Sequence, residues 1–292
     1  MRSLLFVPAD SQKKLDKGLA CGADALIIDL EDSVVSERKA AARGAAAEFV
    51  KAAVARTPRP RILVRINGLT TGLSDADLDA VVPAQPDAIM LPKAEGGASI
   101  IHLDAKLAVR EALGGLPDGH VKIVAIATET AQGLFLAGTY RDASNRLTGL
   151  TWGAEDLSAD LGAEANRGAD GRFLDPYRFA RTLCLAASAA AAVQPIDTLT
   201  VDFRNEAALR RECEEARRDG FTGKLAIHPA QVPIINDVLT PTAAAVAHAE
   251  AVVAAFAAAP GVGTVQINGV MFDIPHLNRA KNLLARARAF SG

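Results

Sequence analysis

The sequence predicts an α/β protein of the (β/α)8 TIM-barrel class, followed by extra C-terminal helices and a small hairpin. Eight short apolar runs rich in β-branched residues alternate with longer alanine-rich stretches of helical spacing, which is the pattern of a parallel sheet covered by helices. The chain has 292 residues, a length typical of one α/β barrel. A doubly wound open sheet is the rival fold, and eight strand–helix units in order favour the closed barrel.

The eight apolar runs are the predicted strands. They span residues 4–8, 25–30, 62–66, 88–92, 123–127, 147–152, 196–201 and 225–228. The clearest helix candidates between them span residues 36–55, 98–113, 175–192 and 206–218. We therefore assign residues 1–240 to a catalytic barrel domain.

Residues 241–292 form a predicted extension that the barrel does not need. A helix over 241–259 has Thr240 placed to cap it and a proline in its first turn. Two short runs, 264–267 and 270–272, flank Asn268-Gly269, a dipeptide that favours a type I′ hairpin turn. Asp273 follows the hairpin, and Pro275 begins a last helix that reaches Phe290.

Composition and charge exclude several classes of protein. A formal charge of −2 with no basic block argues against a nucleic-acid partner. Three widely spaced cysteines fit neither a disulfide framework nor a zinc site, and indicate buried thiols in a reducing compartment. The first apolar run is cut by Pro8, and no segment approaches the roughly 20 apolar residues of a membrane span. We expect a cytoplasmic protein with no membrane partner.

Charged side chains stand at or just after the ends of the predicted strands. In a barrel all these ends meet at the face where barrel enzymes keep their sites. That face would collect Asp29, Glu31, Asp32, Arg65, Lys93, Glu129, Glu155, Asp156, Asp202 and His228.

So many carboxylates repel one another unless a cation lies among them. Oxygen ligands from few side chains, completed by water or substrate, suit Mg²⁺ or Mn²⁺ better than zinc. Glu129 and Asp156, each at the tip of an apolar strand, are the predicted metal ligands. The alternative for any one acid, Glu155 above all, is a helix cap or a first-turn charge.

Three further residues at this face each allow two interpretations. Arg65 suits a bidentate grip on a substrate carboxylate, or pairs with Glu31 or Asp32. Lys93 has the position of a Schiff-base nucleophile, but the surrounding negative charge should raise its pKa, so we expect a structural ion pair. For His228, a hydrogen-bonded structural role is favoured over a general base.

Lys13 and Lys17 are one helical turn apart just after the first strand. They form a small basic face beside the same end of the barrel. This face is suited to phosphate groups, and the alternative is a pair of solvated lysines on an outer helix.

Taken in order, several short motifs resemble the citrate lyase beta-subunit-like branch of the HpcH/HpaI aldolase family, which includes malyl-CoA and citramalyl-CoA lyases. The likeness runs nearly end to end. The motifs are Leu5-Phe-Val-Pro8, Ile28-Asp-Leu-Glu-Asp32, Val64-Arg-Ile-Asn67, Leu91-Pro-Lys93, Glu129-Thr-Ala-Gln-Gly133, Gly223-Lys224, Ile227-His-Pro-Ala-Gln231 and Gly269-Val-Met-Phe-Asp273.

The resemblance implies a role for each candidate residue. Mg²⁺ would rest on Glu129 and Asp156, with Arg65 on the substrate carboxylate or the enolate oxygen, so Arg65 and Glu129 are both catalytic and substrate-binding. Lys13 and Lys17 match positions that contact coenzyme A phosphates in related lyases. Asp273 matches a catalytic acid/base on a segment that reaches over a neighbouring subunit, so a homotrimer or hexamer is expected.

The implied activity is Mg²⁺-dependent carbon–carbon cleavage of a β-hydroxyacyl thioester such as malyl-CoA or citramalyl-CoA, giving an acyl-CoA and a 2-oxo acid. A citryl-thioester lyase subunit acting on an acyl carrier protein, a malyl-CoA thioesterase and a silent metal-binding paralogue remain open. Departures at Ala9, Thr128 and Asn205 leave the acyl carrier and substrate undecided.

Overall fold

The computed structural model describes residues 1–290, and eight parallel strands in it close into one barrel in sequence order, as predicted. The strands are β1 Ser3–Pro8, β2 Ala25–Asp29, β3 Arg61–Arg65, β4 Ala88–Leu91, β5 Lys122–Ile126, β6 Leu147–Thr151, β7 Gln194–Asp197 and β8 Gly223–Ala226. Strand β1 pairs with both β2 and β8, which closes the ring.

Helices follow the strands around the barrel. They are α1 Gln12–Leu19, α2 Lys39–Val54, α3 Ser74–Val81, α4 Gly97–Leu113, α5 Ala131–Leu136, α6 Ala154–Asp160, α7 Asp175–Ala190, α8 Glu206–Asp219 and α9 Gln231–Leu239. Three short 3₁₀ segments, Ser36–Arg38, Val82–Ala84 and Ala137–Thr139, extend this set.

The inside of the barrel is a packed apolar core. Its buried side chains come from seven of the strands, as is typical of the filled interior of this class of barrel. They are Leu4, Ala25, Ile27, Leu63, Ala88, Met90, Val124, Ile126, Ile196 and Leu225. The core therefore fixes the positions of the residues that follow each strand.

Strands β7 and β8 end earlier than predicted because side chains take over their backbone hydrogen bonds. Lys224 donates to the Thr198 carbonyl at 2.8 Å and Gln231 donates to the Thr200 carbonyl at 2.9 Å. The Gln231 Oε1 atom also accepts from the backbone N–H of Ile227. Asp202, predicted at the end of the seventh strand, lies in an exposed loop beyond it.

The chain divides into two compact units, Met1–Asn236 and a second that begins at Asp237, whereas the sequence places the boundary at residue 240. The second unit contains α10 Ala243–Ala258, the antiparallel strands β9 Thr264–Ile267 and β10 Val270–Asp273, and α11 Ile274–Arg288. Asn268 and Gly269 have φ of 50° and 81°, which a type I′ turn requires.

Two details of this region correct the sequence analysis. The stretch Gln231–Ala258 is long and apolar enough, by length and composition, to cross a membrane. It folds as two helices of 9 and 16 residues, each shorter than the roughly 20 that a span needs. The second helix is capped by Thr242, which accepts from Ala245, and not by Thr240, because Pro241 lies between them in a non-helical link.

Candidate active site

A cavity of about 60 Å³ opens at the carboxyl ends of the barrel strands. It brings together Glu129, Asp156 and Arg65, three of the residues selected from the sequence. Its other walls are largely apolar. They are formed by Phe6, Ile126, Trp152, Gly153, Ala154, Glu155, Thr198, Leu199 and Leu225.

Glu129 follows β5 and is almost completely buried, with 2% of its surface exposed. One carboxylate oxygen, Oε1, accepts a short hydrogen bond from the backbone N–H of Lys93. The other, Oε2, lies where Gly153 leaves room, because a Cβ atom on that glycine would stand 2.9 Å from it. Gly153, at the start of α6, therefore provides the space that the Glu129 carboxylate occupies.

Asp156 stands in the first turn of α6, and 32% of its side chain is exposed. Its Oδ1 atom lies 3.0 Å from the Lys93 ammonium group, which also contacts Glu31 at 2.7 Å. These contacts raise the pKa of Lys93, although burial alone would lower it. The predicted structural ion pair at Lys93 is confirmed, and a neutral amine nucleophile is disfavoured.

Arg65 pairs with two acids. One is Glu31, a partner considered from the sequence, and the other is Asp29, which was not considered. Arg65 donates to both oxygens of Asp29 at 2.7 Å, and its Nη1 lies 2.9 Å from Glu31. Its guanidinium also lies 4.8 Å from the centre of the Phe6 ring. A guanidinium has five N–H donors, so these pairings leave donors free to hold a substrate oxygen.

The electrostatics of the site favour a bound cation beside Glu129 and Asp156. Burial, followed by the nearby charge of Asp156, raises the pKa of Glu129 to about 8. Burial also raises the pKa of Glu31, against the opposing effect of Arg65 and Lys93. A divalent ion would remove this penalty by favouring the ionised carboxylates.

The donor set fits Mg²⁺ better than a softer metal. Within residues 1–290, no group of three or more His, Cys, Asp or Glu side chains is arranged to hold a metal ion. A metal at this site would therefore rest on the two carboxylates of Glu129 and Asp156, with substrate or water completing its shell. Mg²⁺ is commonly bound in this way, through one or two carboxylates.

Four other candidates, Lys13, Lys17, Asp273 and His228, are not among the residues that line this cavity. Lys13 and Lys17 are exposed on α1, the helix that follows β1. In the second unit, Asp273 caps α11 in a capping box with His276, which gives it a structural role besides the catalytic one that the resemblance implies. The Nδ1 atom of His228 accepts from the backbone of Ala230, and its ring stacks on Phe203 at 4.4 Å, which favours the structural role.

A buried charge cluster that the sequence patterns did not predict lies between the barrel and its helices. Lys224, which is fully buried, lies 3.5 Å from both Asp197 and Glu212. Asp197 also accepts from the indole N–H of Trp152 at 2.8 Å. The available signal was a lysine inside an otherwise apolar strand, since a buried lysine requires acidic partners.

Two family models match the chain. One, described as HpcH/HpaI aldolase/citrate lyase, covers residues 2–229. The other, described as C–C bond lyase of the TIM-barrel fold, covers residues 179–291. Together they span the barrel and the extension.

Similar curated proteins and a solved structure cover almost the whole chain. A (3S)-malyl-CoA thioesterase of Cereibacter sphaeroides is 36% identical, over 99% of this chain and 95% of the relative. Citrate lyase subunit beta of Escherichia coli is 34% identical, over 98% and 93%. The crystal structure of CitE from Mycobacterium tuberculosis with magnesium, acetoacetate and coenzyme A has a TM-score of 0.78 and 33% identity, over 99% and 100%.

Proposed function

Because the chain belongs to the HpcH/HpaI aldolase/citrate lyase family, we propose that it is a Mg²⁺-dependent carbon–carbon lyase acting on a coenzyme A thioester. Within that class, the proposed substrate is a β-hydroxyacyl thioester such as malyl-CoA or citramalyl-CoA. The products are then an acyl-CoA and a 2-oxo acid. The Mg²⁺ and coenzyme A in the related CitE structure support this choice of cofactor and substrate class.

One observation carries the proposal. The buried carboxylate of Glu129, the half-buried carboxylate of Asp156 and the guanidinium of Arg65 share one small cavity at the carboxyl ends of the strands. Two acids suited to one hard cation, beside an arginine suited to an anion, match a substrate that carries a carboxylate next to the bond to be broken.

The chain's own groups suit the charge changes of this reaction. When bound, Mg²⁺ supplies a Lewis acid that stabilises negative charge on oxygen. Arg65 binds the carboxylate of the 2-oxo acid half or the developing enolate oxygen. The apolar walls at Ile126, Leu199 and Leu225 lower the polarity around the reacting groups, which strengthens both interactions.

The chemical balance requires a proton donor at carbon. Loss of the β-hydroxyl proton and cleavage of the adjacent carbon–carbon bond give the 2-oxo acid and the enolate of the thioester, and the one proton released at oxygen balances the one that the enolate carbon then gains. In our proposal Asp273 delivers the proton that converts this enolate into the acyl-CoA. Lys13 and Lys17 hold phosphates of the coenzyme A moiety, which their exposure and one-turn spacing allow.

Thioester hydrolysis is the second candidate, and the similarity to a (3S)-malyl-CoA thioesterase favours it. The two reactions differ in their products. Carbon–carbon cleavage of malyl-CoA gives acetyl-CoA and glyoxylate, whereas hydrolysis gives malate and a free coenzyme A thiol. A subunit acting on an acyl carrier protein is the third candidate, supported by the similarity to citrate lyase subunit beta.

The test is a panel of CoA thioesters assayed with Mg²⁺ or with EDTA, measuring acyl-CoA, free thiol and 2-oxo acid separately. We expect Mg²⁺-dependent formation of acyl-CoA and 2-oxo acid, and a loss of about a hundredfold or more in Glu129→Gln. Glu48→Gln, an exposed change on α2, is the matched control and should retain activity. Turnover that survives both EDTA and Glu129→Gln would contradict the proposal.

Assembly and location are part of the same proposal. We propose a homotrimer or hexamer in which the unit that begins at Asp237 packs on a neighbouring subunit, and sedimentation equilibrium measures this directly. Cys184 and Cys213 are buried free thiols and Cys21 is half-buried, in keeping with a reducing cytoplasm.

A further inference from the structure

A second, larger cavity of about 240 Å³ lies between α7 and α8, apart from the proposed active site. We call it the arginine groove, after its most frequent lining residue. The residues that carry its charge are Arg167, Arg172, Arg178, Arg181, Arg211, Arg218, Asp197, Glu212, Glu215 and Asp219. Six guanidinium groups thus face four carboxylates, a surplus of two positive charges on a chain whose formal charge is −2.

The acids at the base of the groove already have their partners. Asp197 accepts from Arg181 at 3.2 Å and from Trp152 at 2.8 Å, and Lys224 lies 3.5 Å away. Glu212 accepts from Thr200 at 2.6 Å and from Arg167 at 2.7 Å. These contacts hold the pKa of both acids below their usual range, against the opposing effect of burial. They therefore have little capacity left to neutralise the remaining arginines.

The unneutralised cations lie on the walls. The guanidinium groups of Arg178 on α7 and Arg211 on α8 make no ion pair or hydrogen bond within the part of the chain that the structure describes. Arg167 is held by its contacts with Glu212 and with the Phe173 ring, which lies 3.7 Å from its Cζ. Its Nη2 atom is nevertheless buried without a hydrogen-bond partner. Such a donor is destabilising unless an acceptor is supplied.

We infer that the arginine groove is a binding site for a small phosphate monoester. A phosphoryl group carries close to two negative charges at neutral pH and three acceptor oxygens, which matches the surplus charge. Its oxygens point in different directions, so they can accept from guanidinium groups on both walls, whereas a planar carboxylate engages one guanidinium edge.

The space beside the groove supports an ester rather than inorganic phosphate alone. A neighbouring cavity of about 400 Å³ shares Arg167, Gly171, Arg211 and Glu212 with it and extends to Thr200 and Val201 beyond β7. This neighbouring cavity provides room for the organic part of the ligand. The inference does not depend on the proposed lyase activity, since none of these residues lines the active-site cavity.

The test is titration calorimetry in metal-free buffer, with inorganic phosphate and glycerol 3-phosphate as the probes. We expect saturable binding, tighter for glycerol 3-phosphate, and a loss of about tenfold or more in Arg178→Gln/Arg211→Gln. Arg56→Gln/Arg141→Gln removes the same charge from two exposed arginines elsewhere and is the matched control. It should bind both probes like the parent protein.

A third variant separates this site from the proposed coenzyme A site. Lys13→Ala/Lys17→Ala should leave binding of both probes unchanged. Absence of saturable binding, equal loss in the two arginine pairs, or loss in the lysine variant alone would each overturn the inference. Because the four substituted arginines are exposed, with Arg178 and Arg211 on the walls, circular dichroism and the melting temperature should show that all variants remain folded.

Discussion

The ammonium group of Lys93 lies 3.0 Å from the carboxylate of Asp156, one of the two proposed Mg²⁺ ligands. The backbone N–H of the same lysine donates to Glu129, the other proposed ligand. Lys93 has a positive φ of 50°, an uncommon backbone conformation for a residue other than glycine. One residue thus contacts both carboxylates, and its charge partly replaces the cation that the site is proposed to bind.

Lys93→Met should therefore increase the dependence of stability on Mg²⁺. Without the ammonium group, Glu31 and Asp156 lose a positive partner, and the melting temperature in EDTA should fall by about 2–4 °C for each kcal/mol lost. Mg²⁺ should then raise the melting temperature by more than it does in the parent protein. Thermal scans with and without Mg²⁺ measure this, with Lys51→Met on the exposed side of α2 as the control. An equal Mg²⁺-induced rise in melting temperature in all three proteins would show that the Lys93 ammonium group does not replace part of the cation's charge.

The barrel was predictable because its signals are local and repeated. Each predicted strand overlaps an observed one, as in β2, where residues 25–30 were predicted and Ala25–Asp29 are observed. The ends of β7 and β8 were not predictable, because they depend on side chains distant in sequence. Lys224 donates to the carbonyl of Thr198, and no local sequence pattern predicts that contact.

The residues that line the proposed active site could be predicted from the sequence, whereas their ion-pair partners could be predicted only in part. Strand topology alone brings Arg65, Glu129 and Asp156 to one cavity. The pairing of Arg65 with Asp29 could be identified only from the structure. The two residues occupy paired positions on the neighbouring strands β2 and β3. Such a cross-strand pair depends on register, which the apolar pattern of a buried parallel strand does not specify.

Gly153→Ala should impair the proposed metal site with little effect on the fold. A Cβ atom would stand 2.9 Å from Glu129 Oε2 and 3.0 Å from Glu129 Cβ, so the buried carboxylate must move. The backbone tolerates alanine because φ is −127°. We expect weaker Mg²⁺ binding by calorimetry and lower lyase activity. Gly44→Ala in α2, where nothing lies within 4 Å, is the control and should be neutral or stabilising by about 0.5–1 kcal/mol.

Acid should destabilise the barrel through its carboxylate–arginine pairs. Burial raises the pKa of Asp29 and of Asp87, but hydrogen bonds from Arg65 and Arg59 outweigh burial and hold both pKa values below the usual range. The unfolded chain then binds more protons than the folded chain near pH 4. These groups stabilise the fold fully above the unfolded pKa of about 4, and the effect is lost as the pH falls through the folded pKa values.

The measurement is the free energy of unfolding in urea between pH 7 and pH 3. Asp87→Asn should lower stability at pH 7 by about 1.5–3 kcal/mol, because charge-assisted hydrogen bonds to Arg59 are lost. It should also flatten the decrease below pH 4. Asp142→Asn, whose parent side chain is 89% exposed, should match the parent protein at every pH. Equal slopes for parent and Asp87→Asn would assign the acid sensitivity to other groups.

Asp273 has a structural role that one substitution can separate from its proposed chemical role. Its carboxylate accepts from the backbone N–H of His276 and caps α11. Asparagine is as good a helix cap as aspartate, but it cannot deliver a carboxyl proton. Asp273→Asn should therefore keep the melting temperature while the lyase rate falls by about a hundredfold or more. Asp273→Ala should lower both.

If the site is shared between subunits, two inactive proteins should complement each other. Asp273→Asn supplies an intact Glu129, and Glu129→Gln supplies an intact Asp273, so co-refolded mixtures should recover part of the activity that each lacks alone. Recovery requires that the two residues of one working site come from different chains. Full activity of Asp273→Asn would reduce Asp273 to a helix cap. An inactive Asp273→Asn that no mixture rescues would instead place both residues of each site in one chain.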